Sequence, residues 1–125
     1  MPEMGGHVDA FLGEVREFRG FERLSFTVGE LKADSNWPWG YAHGVYCFVV
    51  DDEVVYVGRA LGCTLGQRLW DQLRSISDPE WERVVTRDDN CVEVFSVSAE
   101  QAFVGAALEA YLIDRLAPRF NKRAS

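Results

Sequence analysis

Cysteine is scarce. Cys47, Cys63 and Cys91 are odd in number and far apart, and no C-x-x-C pair exists. That pattern excludes a disulfide scaffold and predicts buried free thiols in a reducing cytosol. With only His7 and His43 to add, a structural zinc site is not expected. Long apolar runs are missing too. No stretch of 18 or more exists, so no span of a membrane is expected. The opening MPEMGGHVDAF lacks the basic and apolar regions of a secretory signal, and a cytoplasmic location is the expectation. Positive charge is also short. Thirteen Lys and Arg stand against twenty Asp and Glu, for a net charge of −7. A free-standing, sequence-blind DNA binder is normally basic, and the chain as a whole is not.

What is present suits one folded domain. Apolar residues make up 47% of 125, enough for a real core. The charge is unevenly spread. Arg59, Arg68 and Arg74 share their segment with one acid, Asp71. The stretch from Asp114 onward carries Arg115, Arg119, Lys122 and Arg123. A locally positive site can therefore exist on an acidic body.

Periodicity gives the elements. HVDAFLGEVREF (7–18) spaces Val8, Phe11, Leu12 and Val15 as an amphipathic helix. Thr27-x-x-Glu30 reads as a capping box that opens a short helix toward Ala33. SNWPWG (35–40) is a loop whose tryptophans either lid the core or form an aromatic platform for a ligand. Val45–Val50 and Val54–Val57 read as a hairpin around Asp51–Glu53. A helix follows over Gln67–Ile76, then a short helical piece opened by Pro79. CVEVFSV (91–97) is the third strand, and Ser98-x-x-Gln101 reads as a box opening a helix over Ala99–Leu116. The order is β-β-α-α-β-α: an α+β fold with a small three-stranded antiparallel sheet flanked by helices. Residues 1–40 form a short helical N-terminal extension packed on it.

Chemistry can sit in three places. In AFVGAALEAYLI (102–113) Glu109 is the only charge, on a stripe with Ala102, Ala106 and Ile113. It is either an exposed helix glutamate beside small alanines or an oxygen ligand for a hard divalent cation. Arg68, four residues before Gln72, is either a solvated arginine or a phosphate clamp. GRALGCTLG (58–66) has glycines but lacks the G-K-[ST] ending of a nucleotide-binding P-loop. Tyr46 and Tyr56 point to one side of the hairpin if three residues, Asp51–Glu53, form its loop. A two-residue loop would put them on opposite sides. Strand tyrosines usually serve packing, and that reading stands beside the chemical one.

GVY (44–46) and YVG (56–58), ten residues apart, resemble the paired motif of the GIY-YIG nuclease superfamily. An arginine on the following helix matches Arg68 in GQRLW, and a glutamate on a later helix matches Glu109. An asparagine soon after a proline matches Asn121 in LEAYLIDRLAPRFN. The resemblance spans residues 44–121 and implies a nuclease domain over 41–125. Its implied activity is hydrolysis of nucleic-acid phosphodiesters, usually in DNA, with Mg2+ or Mn2+. Glu109 would hold the metal and Arg68 would clamp the phosphate. One tyrosine, Tyr46 by preference, would help deprotonate water, and Tyr56 would bond water or phosphate. Arg59 would supply charge beside YVG, Gly58 would leave space opposite Tyr46, and Asn121 would support the site from behind. Arg59, Arg68, Arg74, Arg119 and Lys122 form the implied substrate-binding set.

The chain also departs from the pattern. The Gly58–Arg68 loop is longer by about two residues than in compact relatives. Gln72 stands where several relatives have histidine or tyrosine, and His43, just before GVY, is the candidate to compensate. No second domain for target recognition is visible, and the chain is acidic. Specificity is therefore expected from a homodimer, a partner protein or the N-terminal 40 residues. The competing reading is a non-catalytic nucleic-acid- or protein-binding module on the same fold.

Overall fold

The computed structural model describes residues 5–10, 22–34, 36–75 and 78–121. Residues 5–10 are helical (α1), and the rest of the helix expected over 7–18 lies outside the described residues. The other elements are β1 (Glu22–Thr27), α2 (Val28–Ala33), β2 (His43–Val50), β3 (Glu53–Ala60), α3 (Leu65–Arg74), α4 (Pro79–Thr86), β4 (Cys91–Val97) and α5 (Ala102–Leu116). A 3-10 turn, Pro38–Tyr41, precedes β2. Among the described residues no helix is long and apolar enough to cross a membrane.

Local chemistry sets most boundaries. The Thr27 hydroxyl accepts from Glu30 N at 3.1 Å and Glu30 Oε1 accepts from Thr27 N at 2.9 Å, the reciprocal box read from the sequence. Thr64 caps α3 through Gln67 N at 3.2 Å, and Asp78 caps α4 through Glu80 N at 2.9 Å. The box expected at Ser98–Gln101 does not form. Residues 99–101 make a 3-10 turn, with Gln101 N bonded to Ser98 O at 3.0 Å, and α5 starts at Ala102 without a side-chain cap. Ala117 ends α5 in the left-handed region at φ 45°, donating to Ile113 O at 2.9 Å, and Pro118 follows.

The sheet has four antiparallel strands in the order β1-β4-β2-β3, where three were expected. The added strand is β1, inside the segment read as a helical extension. ERLSFT carries only two apolar residues, Leu24 and Phe26, and they alternate. That signal is faint until pairing with β4 supplies the missing hydrogen bonds.

The hairpin corrects a second expectation. Its loop is two residues, not three: Asp51 and Asp52 both have positive φ, 50° and 63°, as a type I′ turn requires. Val50 pairs with Glu53 and Val49 with Val54, rather than Val50 with Val54. A β-bulge then shifts the ladder, so Phe48 pairs with Tyr56 and Tyr46 with Gly58. Val55 is the extra residue. It and Tyr56 both pack on the same side, where a regular strand would alternate. The register expected for the tyrosines is thus present, produced by a tight turn plus a bulge.

Two cores sandwich the sheet. Tyr46, Phe48, Val55, Leu65, Leu69, Trp81 and Phe120 fill the α3/α4 side. Val45, Cys47, Val49, Val57, Phe95, Leu108 and Leu112 fill the α5 side, where Val8 of α1 also packs. Trp37 is buried in the first core and stacks on Trp39 at 5.3 Å, 3° from parallel, as a lid. Of the cysteines, Cys47 is buried, while Cys63 and Cys91 are only partly covered.

Candidate active site

The site begins where β2 faces β3. Tyr46 lies across Gly58 so closely that a Cβ there would come within 2.5 Å of the phenol carbon and hydroxyl. Gly58 is thus required by contact. Gly44, by contrast, serves the fold: a Cβ on it would collide with the Phe95 carbonyl of β4. Tyr46 is fully buried. Its hydroxyl accepts from Gln72 Nε2 of α3 at 3.3 Å, and its ring is 6.1 Å from that of Tyr56. Tyr56 is partly exposed and packs edge-on against Trp81 at 5.4 Å. Trp81 in turn donates to Gln72 O at 3.0 Å, so one residue of α3 orders both rings.

Charge is arranged around these hydroxyls. Burial pushes the Tyr46 phenol well above its ordinary pKa and Tyr56 adds to this, while Arg68 and the Gln72 hydrogen bond oppose it. Tyr46 therefore holds its proton at neutral pH in this state. Arg68 is exposed on α3, and its guanidinium is held charged first by Tyr46, against a burial effect, and further by Tyr56 and Cys63.

Glu109 lies on the α5 side of β3, its side chain 17% exposed. Arg59 Nη1 sits 3.5 Å from its Oε1, a contact made from the half-exposed rim. Burial raises the Glu109 carboxyl above the ordinary range, and Arg59 and then Arg68 pull it back. Arg68 therefore acts on the phenols and on the carboxylate alike. The two halves of the site belong to opposite faces of the sheet, and β3, one of its two edge strands, carries both Gly58 against Tyr46 and Arg59 against Glu109.

Asn121 secures that edge. Its Oδ1 accepts from Val57 N at 2.8 Å and its Nδ2 donates to Val57 O at 2.7 Å. A side-chain amide thus stands in for a neighbouring strand, at the residue between Tyr56 and Gly58. Phe120 N adds a bond to Val55 O at 3.0 Å.

The remaining candidates divide. His43 shares strand parity with Val45 and Cys47, on the face away from Tyr46, and its buried Nδ1 has no hydrogen-bond partner among the described residues. Arg74 lies on the other flank of α3 from Arg68, its guanidinium 3.5 Å over the Trp70 ring. Arg119 lies near the hairpin turn, lining a groove of about 550 Å3 with Arg83, Arg87 and Val50. Lys122 lies outside the described residues. Gln72 is the contact that sequence reasoning passed over as a departure. Its i+4 spacing from Arg68 was the available signal.

Among the described residues no group of three or more His, Cys, Asp or Glu could cage a metal ion. A lone, mostly buried carboxylate fits a different mode. Magnesium is commonly held by one or two carboxylates, with water and substrate phosphate completing its shell. Glu109, whose ionised form is disfavoured by burial, is a donor that an added cation would favour.

No family model matches the chain. UvrABC system protein C from Haloquadratum walsbyi is 41% identical over 83 residues, which is 64% of this chain and 13% of that protein. The chain thus spans a small part of that relative's length. The GIY-YIG N-terminal endonuclease domain of UvrC from Thermotoga maritima, bound to its catalytic magnesium, superposes with a TM-score of 0.53. It is 23% identical and covers 73% of this chain and 94% of that one. A tyrosine-to-phenylalanine variant of that domain, bound to the catalytic divalent cation, gives 0.54 at 22% identity over 73% and 93%.

Proposed function

We propose that this chain belongs to the GIY-YIG superfamily and is a metal-dependent endonuclease that hydrolyses nucleic-acid phosphodiesters, DNA by preference. One observation carries the reading: Tyr46 packs against Gly58, and the next residue along β3, Arg59, meets Glu109 at 3.5 Å, so phenol and carboxylate gather at one end of that strand.

Glu109 would hold Mg2+ or Mn2+. When bound, the ion supplies charge stabilisation at the scissile phosphate and the leaving oxygen. Arg68 clamps the phosphate through its planar fork. Arg59 is the counter-ion of Glu109 in the metal-free chain. With Glu109 engaged as a metal ligand, Arg59 would be left to meet the substrate phosphate. Tyr46 is the preferred base, because Arg68 already opposes the burial that keeps it protonated. Tyr56, partly exposed, orients water or phosphate. Gln72 fixes the Tyr46 hydroxyl and Asn121 fixes the strand beneath both.

Residues 41–125 form the nuclease domain, with residues 1–40 as an extension that lends β1 to the sheet. A cytoplasmic setting suits three free cysteines. Specificity would come from a homodimer or a partner protein. A second reading, a binding module without catalysis, is favoured by one observation: Tyr46 is fully buried, so water cannot reach its hydroxyl without local opening.

The test is nicking of supercoiled plasmid and branched DNA with Mg2+, Mn2+ or chelator. Glu109→Gln and Tyr46→Phe should each reduce cleavage by roughly 10^3-fold or more. Equal background from the unmodified chain and both variants, on every substrate and metal, would overturn the enzyme reading and leave the binding module.

A further inference from the structure

The flank of α3 that faces away from Arg68 forms one wall of a cleft of about 290 Å3. Trp37, Tyr41, Trp70, Asn36, Thr64 and Gln67 line it, and none of its lining residues is charged. On a chain of net charge −7 that is an unusual patch. Large apolar side chains exposed among the described residues are Tyr41 at 85%, Trp70 at 42% and Phe103. Two of these three meet at this cleft. An exposed aromatic pair has a physical reason to persist when a flat ligand covers it.

The surroundings point to what the ligand is. Arg74 stacks on Trp70 at 3.5 Å, a guanidinium–aromatic platform that widens the flat surface and adds positive charge at its margin. Asn36 and Gln67 carry amides able to donate and accept at the edge of a heterocycle. Trp37 is itself more than nine-tenths buried, and its Nε1–H is a buried donor that meets no acceptor among the described residues. The cleft is also pre-formed. Leu65 N donates to Ala42 O at 2.9 Å, and Gly66 and Gly40 approach so closely that a Cβ on Gly66 would lie 3.0 Å from the Gly40 carbonyl. Little ordering is therefore needed on binding.

The same helix carries Arg68 and Gln72 on its opposite flank. One helix diameter, roughly 10–12 Å, separates cleft from site. We infer that the cleft binds one unstacked nucleobase, belonging to a nucleotide near the phosphodiester held at Arg68. Its face packs on Trp70 and Tyr41, and Asn36 and Gln67 meet its edge. The substrate class is thus a strand with an unpaired or displaced base, in preference to uninterrupted duplex. Stacking supplies affinity that the acidic body does not. This inference rests on the nuclease reading of the neighbouring site.

Binding is measured in chelator, where cleavage is absent, by tryptophan and 2-aminopurine fluorescence. The probes are a single-stranded oligonucleotide and a duplex with one unpaired 2-aminopurine; a fully paired duplex is the control. Trp70→Ala and Tyr41→Ala should each weaken binding to the unpaired probes by roughly 5- to 150-fold, the range of one lost base stack. Trp70→Phe should restore most of it, and paired-duplex binding should move little. Both positions are exposed, and circular dichroism checks that the variants fold. If unpaired probes bind the unmodified chain and both alanine variants equally, this inference falls and the nuclease reading stands. If no probe binds at all, this inference falls, and the nicking assay decides the nuclease reading separately. Capture of a proline-rich peptide in a Trp70-dependent way, with no oligonucleotide bound, would also overturn it.

Discussion

The two faces of the sheet are built from different materials. On the α3/α4 side the core is aromatic, with Tyr46, Phe48, Trp81 and Phe120 meeting edge to face, and Phe48 lies 4.9 Å from Trp81. On the α5 side it is largely aliphatic, apart from Phe95. The aromatic face contains a buried hydroxyl and an indole N–H, and both are tied to Gln72. The aliphatic face holds α5, and with it Glu109, chiefly by packing, and the Arg59–Glu109 contact at 3.5 Å adds an ion pair at the rim. One face positions its chemistry by hydrogen bonds, the other by packing. Damage to each should therefore look different.

The largest effect is expected from the aliphatic side. Leu108 is fully buried and precedes Glu109. Leu108→Ala should cost about 2–5 kcal/mol of stability, read from the urea midpoint. A loss far below 1 kcal/mol would mean that α5 is not held by packing. On the aromatic side, Gly58→Ala forces a methyl into the Tyr46 ring and should cost about 1–3 kcal/mol. The cost should shrink in a Tyr46→Ala background, and strict additivity would sink the contact as its cause. Between the faces, Asn121→Ala removes two hydrogen bonds from Val57 and should cost about 1–3 kcal/mol in thermal or urea unfolding. Asn121→Asp should recover only part, because one oxygen cannot replace the donating amide.

The smallest effect should have the opposite sign. The folded Glu109 carboxyl is raised above its unfolded value, with burial the main cause. Its contribution to stability is full below the unfolded pKa and is lost as pH rises through the folded one. Metal-free Glu109→Gln should therefore gain a few degrees in melting temperature over the unmodified chain at pH 7, and less at pH 4. A gain that grows toward acid pH would show that the Arg59 pair, not burial, dominates. Divalent cation should raise the melting temperature of the unmodified chain and not that of the variant.

Much of this was legible in the chain. Thr27 and Glu30 announced their box and β4 was read at its observed bounds, while the alanine-rich stripe left Glu109 open between an exposed glutamate and a metal ligand. Three features were hidden, each for a physical reason. β1 is a strand because β4 offers it partners, and Leu24 and Phe26 carry too little periodicity to say so alone. The bulge at Val55 is invisible because Val54, Val55 and Val57 look alike as strand formers, and only packing on both faces decides which is extra. Asn121 was placed behind the site by analogy. Its pair of hydrogen bonds to a strand 64 residues away is a tertiary contact that no local pattern encodes.

That pair of hydrogen bonds also governs how copies of the chain can meet. An edge strand with free amides invites another strand to join it. Along Val55–Val57 the β3 edge is already occupied, by Phe120 N and the Asn121 amide. Two molecules cannot zip together through that stretch without first displacing Phe120 and Asn121. Any dimer made by sheet extension must use another margin, and trimming the chain before Phe120 would turn a closed seam into a sticky one.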